Sequence, residues 1–372
     1  MREKEDHFRY HALFREFLQA QLKREDPQTF RDLHRQAAAW FERAEEPGRA
    51  AQHYMTIGEP MEAARTLSGA AESLLRAGRL ETLVEWAERL PEEALRAYPR
   101  LALFAAKAAS RVGKIDQTRR WLDIAEGTFR LQKQGRMLGM ALAARALVAF
   151  NGGAYTEAAQ YAEEALQVLA AADPASEALV EALRVQGMCL VRMGRFEEAE
   201  EKFHQALERC QDLKDPHREV LIRAGLAACL HSQGRVEEAA EMLKIVVAAS
   251  RELSSPGYLA EALNDLAYNL YLLGDYVGAL QTLQEALSTA LQVGHRHVEA
   301  FVRVSLGEVL RDLGDPGAAK DHLERGVTIA EATRNVFLLA CGLEALALAH
   351  LRSGDLDQAL ERIQKALEQA DR

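Results

Sequence analysis

The stretch MGRFEEAEEKFHQAL, residues 193–207, places a glycine, then a small residue five positions on, then a large aromatic four positions beyond that. Gly194 ends one helix without a Cβ penalty, because glycine alone enters left-handed backbone freely. Ala199 and Phe203 then fall on one face of the following helix. The phrase returns as GGAYTEAAQYAEEAL at 152–166, LGDYVGALQTLQEAL at 273–287 and SGDLDQALERIQKAL at 353–367. Its turn glycines, Gly113, Gly153, Gly194, Gly234, Gly274, Gly314 and Gly354, stand 40 or 41 residues apart. A fixed period of this length is the signature of stacked helical hairpins, each of which buries its apolar face only against its neighbours.

Three positions per period carry the packing. Seven residues before the glycines stand Ala106, Ala146, Gly187, Ala227, Ala267, Gly307 and Ala347, and five residues after them Thr118, Ala158, Ala199, Ala239, Ala279, Ala319 and Ala359. Small side chains facing each other across one turn describe a tight hairpin. A bulky apolar residue follows at Leu122, Phe203, Leu243, Leu283, Leu323 and Ile363. The Gly-x-Φ-x-x-Ala turn resembles that of the tetratricopeptide repeat family more than armadillo or HEAT arrays, although the usual tetratricopeptide unit is about 34 residues and the helices here must be longer. The expected fold is all-α, a tetratricopeptide-like right-handed superhelix of hairpins with a period of about 40 residues.

Bulk properties narrow the function. The chain has 372 residues, 48% of them hydrophobic and only 6% aromatic, with nine prolines. A net charge of −10 speaks against direct nucleic-acid binding by this segment, since such faces carry a basic stripe. Cys189, Cys210, Cys229 and Cys341 form no C-x-x-C pair, so neither a disulfide framework nor a zinc site is expected. With no signal-peptide pattern and no long uncharged apolar run, no membrane association is expected, and the expected location is cytoplasmic.

Upstream of Gly113 the glycine spacing shortens to 35 and then 20 residues, at Gly78 and Gly58, amid Pro47, Pro60, Pro91 and Pro99. The strings FRYHALFREFLQAQL (8–22), LHRQAAAWFERAEEPGRAAQHYMTIGEPMEAARTL (33–67) and LPEEALRAYPRLALFAAKAA (90–109) resemble, in that order, the region of MalT-type transcription activators that links a winged-helix module to the repeat domain. The resemblance implies three segments: 1–24, a remnant of the winged-helix module and a linker helix; 25–95, a helical arm; and 96–372, the repeat domain that senses an effector. In that family a STAND-class ATPase precedes and a DNA-binding domain, often LuxR-type, follows. ATP and DNA are therefore expected to act through such flanking domains, with no cofactor held in this segment. The one Gly-Lys pair, Gly113-Lys114, is followed by Ile115 and lacks the upstream glycine of a phosphate loop.

No catalytic motif is present in the sequence, so an enzyme is not expected. His295 and His297 stand two residues apart at a helix start and read as structural. The acidic pairs Glu197-Glu198 and Glu237-Glu238 suit the positive end of a helix dipole. The tetratricopeptide resemblance implies a concave face lined by the first helix of each pair, at about 13, 10, 6, 3 and 2 residues before the turn glycine. Those offsets select Glu181, Arg184, Met188 and Arg192; His231; Asn264, Tyr268 and Tyr271; Glu308 and Arg311; and Glu344 and Arg352. Of these, Arg192, His231, Asn264, Tyr268, Tyr271, Glu308 and Arg311 are the candidate binding residues. Tyrosine faces with hydroxyl tips beside amide and guanidinium donors suit a small polar effector or, alternatively, a peptide or partner helix held in the groove.

Overall fold

The computed structural model describes residues 11–333 and 335–370. Residues 1–10 of the 1–24 segment lie outside the described residues. Among those described, every regular element is a helix, and the all-α, tetratricopeptide-like class is as expected. The described part of the chain forms two compact units.

The first unit holds α1 (Ala12–Glu25), α2 (Pro27–Arg43), α3 (Pro47–Thr56), α4 (Pro60–Arg76), α5 (Leu80–Glu88), α6 (Glu92–Ala97), α7 (Pro99–Arg111), α8 (Ile115–Leu131) and α9 (Gly135–Asn151). Four of these start on proline, whose missing N–H costs nothing at a helix start. Its core runs through Leu67, Leu83, Leu101, Leu103, Trp121 and Phe129. The division read at residue 96 falls inside α6, and the compact unit containing α6 and α7 continues through α9. α10 (Tyr155–Ala172) gives its first half to the second unit and its second half to the first.

The second unit is built from antiparallel pairs: α11 (Glu177–Arg192) with α12 (Phe196–Leu213), α13 (Pro216–Ser232) with α14 (Val236–Glu252), α15 (Pro256–Leu272) with α16 (Tyr276–Gln292), α17 (Arg296–Asp312) with α18 (Pro316–Ala332), and α19 (Val336–Arg352) with α20 (Leu356–Ala370). The turn glycines inside the pairs all have φ between 73° and 89°, the left-handed region that the sequence reading requires of them. Between pairs, left-handed backbone recurs at Lys214, Ser254 and Gly294. Only the last is a glycine, which is why this second set of turns left no periodic mark. Asp215, Asp275, Asp315 and Asn335 cap the helices that follow by accepting from backbone N–H groups, replacing partners that the first helical turn lacks. Glu198 and Glu238 sit in first helical turns as expected and also pair with Arg195 and Arg235, at 2.6 and 2.7 Å.

The small positions are where helices meet. A Cβ on Gly187 would stand 3.0 Å from the Phe203 ring, and one on Gly225, from the next pair, 2.6 Å from the same ring. Phe203 therefore fills a slot made by two glycines. At Gly307 an added Cβ would overlap the Leu323 side chain, which is fully buried. Ile363 departs from its equivalents: it is exposed where Leu243, Leu283 and Leu323 are buried, because no described helix follows α20 to cover it.

Gly307→Ala is expected to cost about 1–3 kcal/mol by overpacking, and Ala267→Leu a similar amount. Thermal unfolding followed by circular dichroism checks both, and an unchanged midpoint in either variant contradicts this helix register.

Candidate functional site: the face of the first helices

In the second unit α11 lies against α13, α15 against α17, and α17 against α19, whereas no two second helices pack together to that extent. Hairpins whose first helices are the closer-spaced set curve toward them. The first helices therefore line the inside of this unit, and side chains one period apart meet there.

Most of the candidates do meet. His231 on α13 bonds through Nδ1 to Asn269 Oδ1 at 3.0 Å, and its ring lies 5.6 Å from that of Tyr268. Tyr268 is next to Tyr271, 6.2 Å away between ring centroids, and Tyr271 meets Tyr276 edge-on. The Tyr271 hydroxyl donates to Asp312 Oδ2 at 2.6 Å. Arg311 donates to both Asp312 oxygens, Nε at 2.9 Å and Nη2 at 3.0 Å. Arg352 of α19 reaches Asp312 Oδ1 at 3.2 Å. Asn264 accepts from Ser305 Oγ at 3.1 Å. Glu308 makes no hydrogen bond or ion pair among the described residues. Arg192 stands apart from this cluster, its guanidinium 5.7 Å from the Tyr155 ring. Arg184 is buried and paired with Glu181 at 2.6 Å, and it also donates to Met188 Sδ.

One residue's role differs from the sequence expectation. Arg311, read as a donor for a ligand, is buried and held by Asp312. Its guanidinium organises the groove wall. Tyr268 is the open member of the tyrosine pair, 39% exposed, with no hydrogen bond to its hydroxyl among the described residues. Asp312 was not among the candidates although it binds three side chains from three helices. It stands two residues before Gly314, the offset that selected Arg192 and Arg352, so the same rule applied evenly finds it. Asp265, Glu261 and Cys341 also face this region and were missed.

The electrostatics divide the site. The Arg311 hydrogen bonds hold the Asp312 carboxyl below the usual carboxylate range, while enclosure, aided by that carboxylate, pushes the Tyr271 hydroxyl up to about 12. Asp265 is exposed to solvent on the inner face of α15, with protein gathered around it on the α15 side. Desolvation first, with the Glu261 charge secondary, raises its carboxyl to about 6 against the opposing effects of Asn264 and His231. Glu261 and Glu308 are raised for the same first reason. Glu308 and the Glu344 carboxylate also repel one another. The Cys341 thiol is likewise pushed up by burial, which makes it unreactive.

His295 and His297 serve the local structure. His295 accepts from Val298 N at the start of α17 and lies 3.8 Å from Glu261, and His297 packs edge-on against Phe301. Among the described residues no group of three or more His, Cys, Asp or Glu is placed to hold a metal ion, and no helix is long and apolar enough to cross a membrane. A separate open concavity of about 470 Å³ is lined by α16, α17 and α18. It is lined mainly by leucines, Leu280, Leu287, Leu291, Leu306 and Leu310, with His322 at its edge, and offers little polar chemistry.

Paired helices with glycine turns, small residues at each crossing and a polar-aromatic inner face define an all-α repeat protein of the tetratricopeptide class. The chain belongs to the MalT-like TPR region family, whose model matches residues 178–372. It is 29% identical over 165 residues to the HTH-type transcriptional regulator MalT of Vibrio parahaemolyticus, covering 44% of this chain and 18% of that protein. It is 26% identical over 361 residues to the serine/threonine-protein kinase PknK of Mycobacterium tuberculosis, covering 96% of this chain and 29% of the kinase. The chain thus spans less than a third of either curated relative. Among solved structures it resembles a signal transduction ATPase with numerous domains, carrying a tetratricopeptide repeat sensor, from Pyrococcus horikoshii. The TM-score is 0.66 at 14% identity, over 97% of this chain and 55% of that one.

A carboxyl whose pKa is higher folded than unfolded costs stability once it is charged. For Asp265 that cost is absent below its ordinary value of 3.8 and complete above about 6. Asp265→Asn is therefore expected to raise the melting temperature at neutral pH and to leave it nearly unchanged below pH about 4. Asp312 has the opposite sign, since its depressed pKa stabilises the fold above the ordinary carboxylate range and the contribution is lost in acid. Asp312→Ala is expected to destabilise by about 3 kcal/mol by leaving Arg311 without its counter-charge. Melting curves of the two variants across pH separate these effects, and a destabilised Asp265→Asn at neutral pH overturns the assignment for that residue.

Proposed function

We propose that this chain is the effector-sensing and interaction domain of a larger MalT-like, ATP-dependent transcription regulator, and that it acts by binding and without catalysis. The reading is supported by the family match and by the groove's unequal charge balance. Its cations Arg311 and Arg352 are engaged by Asp312, while Glu308 and Glu344 make no ion pair among the described residues, and Asp265 lies beside the exposed Tyr268. That last imbalance is the observation that carries the proposal. It favours an occupant bearing cationic or hydrogen-bond-donating groups, with an apolar part for the Tyr268 ring to cover.

An open trough shared by several helices suits an extended or helical peptide segment better than a small molecule, because small-molecule sites enclose most of their ligand. The structural relative from Pyrococcus horikoshii carries a tetratricopeptide repeat sensor, and an analogous role is proposed for this chain. Binding in the groove acts on neighbouring repeats together and shifts their arrangement in proportion to the difference in affinity between two arrangements. ATP and DNA enter through other segments of the regulator.

Short peptides of matched length, rich in Arg and Tyr or in Glu and Tyr, provide the test by fluorescence anisotropy. The basic peptide is expected to bind, more weakly at higher salt and as pH falls through about 6, where Asp265 takes up a proton. Tyr268→Ala combined with Glu308→Gln is expected to weaken it by about 10-fold or more, as for the loss of one charged hydrogen bond and a ring contact, with helicity intact. Preference for the acidic peptide, or binding insensitive to both substitutions, rules the reading out.

A further inference from the structure

The hairpin of α15 and α16 ends in an apolar tip. Leu272 and Leu273, just before Gly274, and Tyr276 and Val277, just after Asp275, are 47, 40, 38 and 63% exposed. The tip breaks the period of the array. Two residues before the turn glycine the other hairpins of the second unit carry Arg192, Ser232, Asp312 and Arg352, where this one carries Leu272. Three residues after the glycine they carry Glu197, Glu237, Gly317 and Asp357, where this one carries Val277. Hairpins stack on both sides of this one, α14 against α15 and α17 against α16, so its exposure does not come from an end of the array. Contiguous apolar side chains left in water mark a contact surface.

The tip is continuous with the groove. Tyr276 meets Tyr271 edge-on with ring centroids 5.6 Å apart, and Tyr271 lies 6.2 Å from Tyr268, so three rings lead from the groove to the turn. Leu272 holds the inner-face offset that Asp312 and Arg352 hold in the next two hairpins. Along α15 the inner face therefore passes from the carboxyls of Glu261 and Asp265, over the exposed Tyr268 ring, to Leu272. An acidic end followed by an apolar end complements a chain that is basic and then apolar. Asp265 and Leu272 are seven residues apart, which is about 10 Å along a helix and about three residues of extended chain.

On the reading that the groove holds a basic segment, we propose that this segment is amphipathic. A lysine or arginine lies beside Asp265, and a large apolar side chain about three residues away in the extended chain sits on Leu272, Leu273 and Tyr276. The carboxyls hold the charge, and the tip selects among basic segments by taking hydrocarbon out of water. A basic segment without the apolar residue leaves the tip wet and is held more weakly.

Two synthetic peptides of equal length and charge test the pairing by fluorescence anisotropy with the intact chain. One carries arginines in a Gly-Ser background, and the other adds leucines three residues to either side of them. The leucine peptide is expected to bind about 10-fold or more tightly, as for burial of one leucine side chain, and the ratio is expected to persist as added salt weakens both. Leu272→Ser with Leu273→Gln copies into this hairpin the Ser232-Gln233 pair of the preceding one. The melting temperature is therefore expected to stay unchanged, the arginine peptide to bind as before, and the advantage of the leucine peptide to vanish. Unchanged binding of the arginine peptide also shows that the variant keeps its groove. Equal binding of the two peptides by the unaltered chain, or a leucine preference that survives the double substitution, overturns this inference and leaves the groove reading standing. Failure of both peptides to bind the unaltered chain overturns the groove reading and this inference with it.

Discussion

Everything in the repeat unit depends on how closely two helices approach beside each glycine turn. Helix axes meet at about 8–10 Å according to the side chains at the crossing, and here that distance is set by glycine or alanine on one helix against a large residue on another. Phe203 needs Gly187 and Gly225, and Leu323 needs Gly307. Interiors packed to near-crystalline density do not tolerate an uncompensated methyl group, so the volumes at these positions are coupled. Elsewhere alanine faces leucine, as Ala267 does in the pair that contains Leu283, and both are fully buried. Because stacking is settled by volume at a few positions, the inner sides of the first helices are free to carry other chemistry.

The periodic part of this arrangement was readable from the chain. Gly, small and bulky residues at fixed offsets gave the hairpins, their turns and their register, because each offset answers one steric need that recurs unchanged. The turns between hairpins were not readable, since Lys214 and Ser254 adopt the left-handed conformation without the residue type that would announce it. The groove was legible as a face and not as a set of bonds. His231, Tyr268, Tyr271 and Arg311 do converge, but whether an arginine is free or neutralised depends on its neighbour, and Asp312, adjacent in sequence, takes Arg311 out of play. Ile363 shows the complementary failure, for its identity fits the buried series while its exposure is decided by whether another helix covers it.

The bonds across the inner face share a sequence separation close to the repeat. Tyr271 and Asp312 are 41 residues apart, Asn264 and Ser305 41, Arg352 and Asp312 40, and His231 and Asn269 38. Each ties one hairpin to the next at the surface where a ligand would lie. An occupant that alters any of these bonds alters the angle between neighbouring hairpins, and over several repeats small rotations add. In the proposed function, recognition and shape would thereby be coupled through these bonds.

The charges give that coupling a direction. Three buried guanidiniums of the second unit are each neutralised within their own helix, Arg184 by Glu181, Arg303 by Glu299 and Arg311 by Asp312. Glu261, Asp265 and Glu308 are not paired with an arginine, Glu261 lying instead 3.8 Å from His295, and desolvation shifts all three carboxyls upward. On the proposed reading, this unneutralised charge is a local conflict of the kind that marks functional surfaces in otherwise consistent sequences. A cationic occupant would relieve it, so in the proposed function binding and the stability of the stack would be linked. Only a difference in affinity between two arrangements can move a conformational equilibrium, and in the proposed function that difference would lie in the residues that face neighbouring hairpins.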